Sequence, residues 1–202
     1  MEARPPGIAP ANDLARHANG DIDDDGDDDI VFTRYSPHAP ALSMFRNLGG
    51  GQFEKEEYGH GRAHHVNLGE FDGVPGLEIV YIQLGNGYPE DPRGEPARLH
   101  WAAWDAGKLV DRDNFELPDD SYWMDQGDID LDGREEVLAL HPTGVVRVDF
   151  DGPTPTMVEL GLPRSILMDA DGDGDLDYVR YDEELEQVMI LHNDGTGRFN
   201  AP

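Results

Sequence analysis

The chain of 202 residues contains no cysteine. Disulfides, thiolate-bound zinc, iron–sulfur clusters and cysteine nucleophiles are excluded with it. Positive charge is scarce: 15 Lys plus Arg stand against 43 Asp plus Glu, a formal net charge of −28. Nucleic-acid binding needs clustered Lys and Arg on phosphates, so no nucleic-acid partner is expected, and attraction to an anionic membrane surface is disfavoured. No apolar run approaches the roughly 18 residues of a spanning helix, so no membrane insertion is expected. The first residues, Met1 to Pro6, lack the apolar core of a secretory signal. Serine occurs only at Ser36, Ser43, Ser121 and Ser165, none of them in a nucleophile elbow. Phosphate-binding and dinucleotide-binding glycine loops are absent as well. No catalytic set is legible, and a non-enzymatic protein is expected.

What is present is a core and a great deal of punctuation. Hydrophobic residues make up 38% of the chain, with 3 Trp and 7 Tyr, which separates it from acidic disordered tracts. The 24 Gly and 15 Pro interrupt the sequence every few residues and favour many short strands over long helices.

The acid is concentrated and in phase. Residues 21–31, 128–137 and 169–179 fit one template: acid at positions 1, 3, 5 and 9, Gly at position 6, and a strand-forming apolar run from position 10. Calcium takes six to eight oxygens, and alternate carboxylates can turn inward together when the chain curls around an ion. Gly at position 6 permits the sharp turn, a carbonyl at position 7 offers a further oxygen, and the acid at 9 closes the shell. So many carboxylates crowded without a cation would repel one another. An EF-hand is excluded, because it requires Glu at position 12 and flanking helices. Here position 12 is Phe32, Ala139 and Arg180, inside β-type runs. A fourth copy begins at Glu70. It keeps acids at Glu70, Asp72 and Glu78 but has Val74 and Pro75 at positions 5 and 6, so it is expected to keep the turn with a weak or lost ion site.

The four copies start at residues 21, 70, 128 and 169, spacings of 49, 58 and 41 that suit strand-built propeller blades. A second landmark, Asn-x-Gly-x-Gly-x-Phe, occurs at Asn47 to Phe53 and Asn193 to Phe199 and reads as a hairpin turn entering a strand. Together the two landmarks resemble the FG-GAP/VCBS repeats of integrin alpha-subunit propellers and bacterial extracellular proteins. That resemblance implies an all-β fold, a β-propeller of four-stranded blades with calcium between the first two strands. It implies about three Ca²⁺ sites. Their ligands would be Asp21, Asp23, Asp25, Asp29 and the carbonyl of Asp27; Asp128, Asp130, Asp132, Glu136 and the carbonyl of Arg134; and Asp169, Asp171, Asp173, Asp177 and the carbonyl of Asp175. One domain over 1–202 is expected, with repeats at about 14–60, 61–118, 119–162 and 163–202. Family propellers usually have about seven blades, so the four either close as a four-bladed ring, form a propeller fragment, or form an arc completed by other copies. The last blade reads as short, and the segment before Leu14 is a candidate for its outer strand and a clasp.

If the acidic turns join strands one and two, the turns between strands two and three and the links between blades lie on the opposite face. That face gathers aromatic and basic residues: Arg34, Tyr35, His64, His65, Tyr122, Trp123, Arg180 and Tyr181 are the candidate ligand-binding set, with Arg16, Arg62 and Arg164 nearby. Trp101 and Trp104 read as packing residues, and residues 85–96 as either a binding loop or an insertion. The expected function is a non-enzymatic, calcium-stabilised binding or adhesion module of the cell exterior or surface, with glycan or protein as partner. Two alternatives stand beside it: a self-assembling subunit of a surface layer or filament, and a polysaccharide lyase or hydrolase.

Overall fold

The computed structural model describes residues 14–36, 38–85, 96–152 and 154–200. The expected N-terminal clasp and most of the 85–96 loop lie outside them. Among the described residues there are sixteen strands and no helix. Sheet 1 holds β1 (Leu14–Gly20), β2 (Asp29–Arg34), β3 (Leu42–Asn47) and β4 (Phe53–Tyr58). Sheet 2 holds β5 (Ala63–Gly69), β6 (Glu78–Gln83), β7 (Arg98–Asp105) and β8 (Lys108–Glu116). Sheet 3 holds β9 (Trp123–Gly127), β10 (Glu136–His141), β11 (Gly144–Asp149) and β12 (Thr156–Glu159). Sheet 4 holds β13 (Ile166–Met168), β14 (Asp177–Asp182), β15 (Gln187–Asn193) and β16 (Phe199–Asn200). Each is an antiparallel meander in sequence order, the form of a propeller blade. Sheet 4 supplies its own fourth strand through the two-residue β16, so the outer strand expected from the segment before Leu14 is already present.

The alternation of the second strands decides which sheet meets which. Side chains two apart on a strand share a face. Position 11 of each acidic template (Val31, Val80, Leu138) faces the following sheet, and position 10 (Ile79, Val137, Tyr178) faces the preceding one. Val31 with Ile79 and Tyr81 forms the core between sheets 1 and 2. Val80 and Ile82 with Val137 and Ala139 form the core between sheets 2 and 3. Leu138 and Leu140 with Tyr178 form the core between sheets 3 and 4. Strands β6 and β10 are buried along their whole length, as befits central sheets covered on both faces, whereas β12 is exposed throughout at the rim. Trp101 is buried in the second of these cores and Trp104 packs on the first.

A contact not read from the sequence fixes the spacing of the sheets. Gly20, Gly69 and Gly127 immediately precede their acidic loops, and each is covered by template position 8 of the next sheet. A methyl group on Gly20 would lie 2.6 Å from Leu77 Cδ1, and one on Gly69 or Gly127 would overlap Glu135 Oε2 or Leu176 Cδ1. A Cβ at any of the three would force the tip of the covering side chain to move aside.

Sheet 4 has no such neighbour. Ile166, Tyr181 and Val188 on its far face are 53%, 60% and 61% exposed. No hydrogen bond or ion pair among the described residues joins sheet 4 to sheet 1. The described residues thus leave the ring open, as either a propeller fragment or an arc completed by other copies would.

Candidate metal centres and recognition face

Local chemistry shapes each acidic loop. The position-1 carboxylate accepts backbone N–H groups from within its own turn. Asp21 accepts from Asp25 at 3.0 Å and Gly26 at 2.9 Å, Asp128 from Asp132 at 3.0 Å and Gly133 at 2.9 Å, and Asp169 from Gly172 at 2.7 Å and Gly174 at 3.2 Å. The turn requires positive φ at position 6, where Gly26, Gly133 and Gly174 stand at 94°, 91° and 99°. The position-9 acid is buried and latches the loop to its strand. Asp29 accepts from Ile22 N–H at 3.1 Å, Glu136 from Ile129 at 2.7 Å and Asp177 from Ala170 at 3.0 Å. Asp29 and Asp177 also accept from Asn47 and Asn193, at 2.7 and 3.0 Å, which ties the asparagine of the hairpin landmark to the loop.

The loops bring carboxylates together. Oxygens of Asp21, Asp23 and Asp29 converge within 4.8 Å of one another, as do those of Asp128, Asp130 and Glu136, and those of Asp169, Asp171 and Asp173. Asp171 and Asp177 converge in the same way with His192, and Asp132 and Glu136 with Asp151. Asp25, Asp27 and Asp175 belong to none of these groups. Asp25 Oδ1 instead accepts the N–H of Asp27 at 3.1 Å. The Arg134 guanidinium turns to Asp132 and to Asp151, the latter at 2.9 Å.

Sequence reasoning missed the cations at the loops. Arg46 reaches Asp23 at 3.1 Å, Arg147 reaches Asp130 at 3.0 Å and His192 reaches Asp171 at 3.2 Å, each from the third strand of its sheet. Their only sequence signal was a basic residue on that strand. In both arginine pairs the ion pair takes Oδ2, and Oδ1 of Asp23 and of Asp130 is buried with no partner, as is Oδ1 of Asp175. A buried carboxylate oxygen without a donor carries a desolvation cost that a cation would offset. The converging donors are nearly all hard oxygens, so these clusters fit a hard divalent cation.

The second loop keeps the turn and lacks the cluster. Glu70 accepts from Gly76 at 3.2 Å, Asp72 from Val74 at 2.7 Å and Glu78 from Phe71 at 2.7 Å. No converging group among the described residues includes them. Burial, reinforced by Asp72 and Glu70, pushes the Glu78 carboxyl up to about 7. This sets a pH dependence. Below the unfolded carboxyl range near pH 4.5, Glu78 is protonated in both states. As pH rises through 7 the native state must ionise a buried acid, and stability is lost. Glu78→Gln keeps an oxygen for the Phe71 N–H and has nothing to ionise. Relative to wild type it is expected to gain about 2–4 kcal/mol between pH 5 and pH 8 in urea denaturation; parallel profiles for the two proteins would refute this.

The opposite ends of the strands carry the aromatic and basic residues. A row crosses four sheets there: Arg62 lies over the Tyr35 ring at 5.4 Å, Tyr35 meets His64 edge-on at 6.3 Å, His64 meets Tyr122 at 6.1 Å, and Arg164 lies over Tyr122 at 5.1 Å. His64 Nδ1 is 2.7 Å from the Tyr122 carbonyl. A second cluster joins Arg16, Trp123 and His65, with the guanidinium 4.6 Å from the indole and the two rings 4.6 Å apart. Met124 N–H donates to His65 Nδ1, and burial lowers that imidazole to about 4, so it stays neutral. The two adjacent histidines thus serve separate clusters. Arg34 joins neither; it pairs with Glu57 at 3.1 Å on sheet 1. Arg180 and Tyr181 lie beyond Arg164 in a groove of about 520 Å³ between sheets 3 and 4. Pro142, Thr143 and Gly144 form its other wall, and Arg180 pairs with Asp182 at 2.7 Å.

No protein-family model and no curated protein matches the chain. Solved structures do. An Agrocybe aegerita lectin, described for specific recognition of non-reducing terminal N-acetylglucosamine, superposes with a TM-score of 0.58 at 19% identity, covering 92% of this chain and 51% of the lectin. The rhamnogalacturonan lyase YesW superposes with a TM-score of 0.58 at 13% identity, covering 92% of this chain and 39% of the lyase. The exotype rhamnogalacturonan lyase YesX gives 0.53 at 15% identity, covering 93% and 41%. The chain is therefore similar to propeller-containing proteins in fold, and it spans about half or less of their lengths.

Proposed function

We propose that this protein is a non-enzymatic, calcium-stabilised carbohydrate-binding module of the cell exterior, built from FG-GAP/VCBS-type repeats. The observation that carries the reading is the groove between sheets 3 and 4. There a tyrosine that is 60% exposed stands beside Arg164 and the Arg180–Asp182 pair, at the strand ends away from the acidic loops. An exposed ring offers a flat apolar face to the C–H side of a sugar, while a charged pair hydrogen-bonds its hydroxyl or acetamide groups. The similarity in fold to a lectin that recognises terminal N-acetylglucosamine supports a glycan over a protein ligand. The bound calcium would be held by the three carboxylate clusters, where it would neutralise the loops and pin the first two strands of sheets 1, 3 and 4 together. Extracellular modules of this kind bind calcium at roughly 10⁻⁴–10⁻³ M, which suits the exterior of the cell.

The test is a glycan array that includes terminal N-acetylglucosamine and uronic-acid polymers, with soluble titration of any hit. Tyr181→Ala and Arg180→Ala are each expected to weaken binding about tenfold or more, as anchor residues do. Wild type bound to no glycan, or a Tyr181→Ala protein that binds as well as wild type, would refute the reading. Release of unsaturated sugar from the uronic-acid polymers would establish the lyase alternative instead.

A further inference from the structure

We propose that two copies of this chain associate head to tail, the far face of sheet 4 in each packing on the near face of sheet 1 in the other, to close one ring of eight sheets. Every internal seam of the arc uses the same two halves. Template positions 11 and 13 of one sheet meet positions 10 and 12 of the next. Sheet 4 presents the first half: Ile166, Met168 and Val188 stand exposed around the buried Val179, and Tyr181 lies at the edge of this face, where it borders the groove toward sheet 3 and stays open to a ligand. Ile166 and Val179 pair across the strands, as do Tyr181 and Val188, so these side chains share one apolar face. Sheet 1 presents the second half: Ile30 and Phe32, with Phe45 beside them and the Phe32 and Phe45 rings 5.8 Å apart edge to face.

Two further details mark the faces as parts of one seam. Phe199 closes the hairpin landmark of sheet 4 and packs against Tyr178 at 5.5 Å in the core it shares with sheet 3. Phe53 holds the same place in sheet 1 and is 48% exposed. It lacks only the sheet that would lie before it. The glycine of each internal seam is replaced in sheet 4 by Met168, and the template position 8 that covers it, Leu77, Glu135 or Leu176 elsewhere, is Asp28 in sheet 1. The larger side chain has moved to one side of the seam and a shorter one stands opposite.

The arc cannot join its own ends, since the sheet 4 face is exposed. A second copy carries both missing halves at once. A head-to-tail contact that returns on itself leaves no exposed face, and two is the smallest number of arcs that does so.

Light scattering and sedimentation of the full chain test this. The expected mass is twice 22.4 kDa. Val188→Glu and Phe53→Glu each place a charge on one half of the seam at an exposed position, and each is expected to give a monomer with unchanged circular dichroism. An equimolar mixture of the two variants regains dimer, because one of the two seams in the mixed pair is then wild type on both sides. A monomeric wild type would overturn the proposal. So would an assembly larger than two, or a dimer broken by one variant and indifferent to the other, which is the signature of like faces meeting.

Discussion

Removing divalent metal with EDTA is expected to lower the melting temperature by roughly 15–30 °C from its value in about 10 mM calcium, a hundredfold excess over a Kd of about 10⁻⁴ M, and restoring that calcium to reverse the fall. Ligand binding to the native state stabilises it by RT ln(1 + [L]/Kd), about 2.7 kcal/mol per site at a hundredfold excess over Kd. Three occupied clusters therefore contribute about 8 kcal/mol, and a domain of this size shifts by about 2–4 °C per kcal/mol. The physical source is visible in the loops. Asp21, Asp23 and Asp29, then Asp128, Asp130 and Glu136, and Asp169, Asp171 and Asp173 hold like charges within 4.8 Å of one another. Oxygens of Asp23 and Asp130 there are buried without a donor. The arginines at Asp23 and Asp130 offset part of the repulsion through the other oxygen only. Asp173→Ala is expected to remove about one third of the calcium-dependent gain. Glu70→Ala, in the loop that gathers no cluster, is expected to leave it unchanged. A melting curve indifferent to EDTA would refute calcium as the staple of these loops.

Phe150→Ala is expected to destabilise the protein by about 3–5 kcal/mol whether or not calcium is present. Phe150 follows β11 and sits in the core between sheets 2 and 3. It touches Phe71 at 5.0 Å and Trp101 at 5.2 Å, with Phe115 at 6.3 Å. It is 3% exposed, and the three rings around it come from three different parts of sheet 2. Truncation leaves a cavity that rigid sheets on both sides cannot collapse. Differential scanning calorimetry in calcium should show a fall of about 10 °C or more. A fall of only a degree or two would mean that the seam repacks freely. The two predictions separate the forces: calcium would act on the first strand pairs of sheets 1, 3 and 4, and Phe150 acts between sheets.

The acidic turns were legible because they are local. Position 1 accepts from positions 5 and 6, or from 4 and 6 in the last loop, and position 9 reaches back to the N–H of position 2. The whole motif closes within nine residues, so its Asp and Gly phase survives in the linear sequence. Position 5 differs from loop to loop: Asp132 and Asp173 join converging groups and Asp25 does not. Asp25 accepts the N–H of Asp27 and stands apart from the converging groups, whereas Asp151, outside the template, joins one. On the opposite ends of the strands, Tyr35, His64 and Tyr122 do come together, but Arg34 leaves them for Glu57 because the strand alternation turns it to the other side of sheet 1.

The sequence by itself determined the repeat, the four turns, the strands that follow them and the concentration of acid at one end of each sheet. All of these rest on hydrogen bonds and backbone conformations within a dozen residues, or on the two-residue alternation of a strand. The tertiary structure alone decided what meets across the seams. Gly20 against Leu77 and Gly127 against Leu176 join residues about fifty apart through the stacking of whole sheets, and no local pattern specifies that distance. It likewise decided that the groove falls between sheets 3 and 4 and that the faces of sheets 1 and 4 stay uncovered. Whether an apolar strand face is buried depends on the presence of a neighbouring sheet, and the same valine reads alike in sequence with or without one.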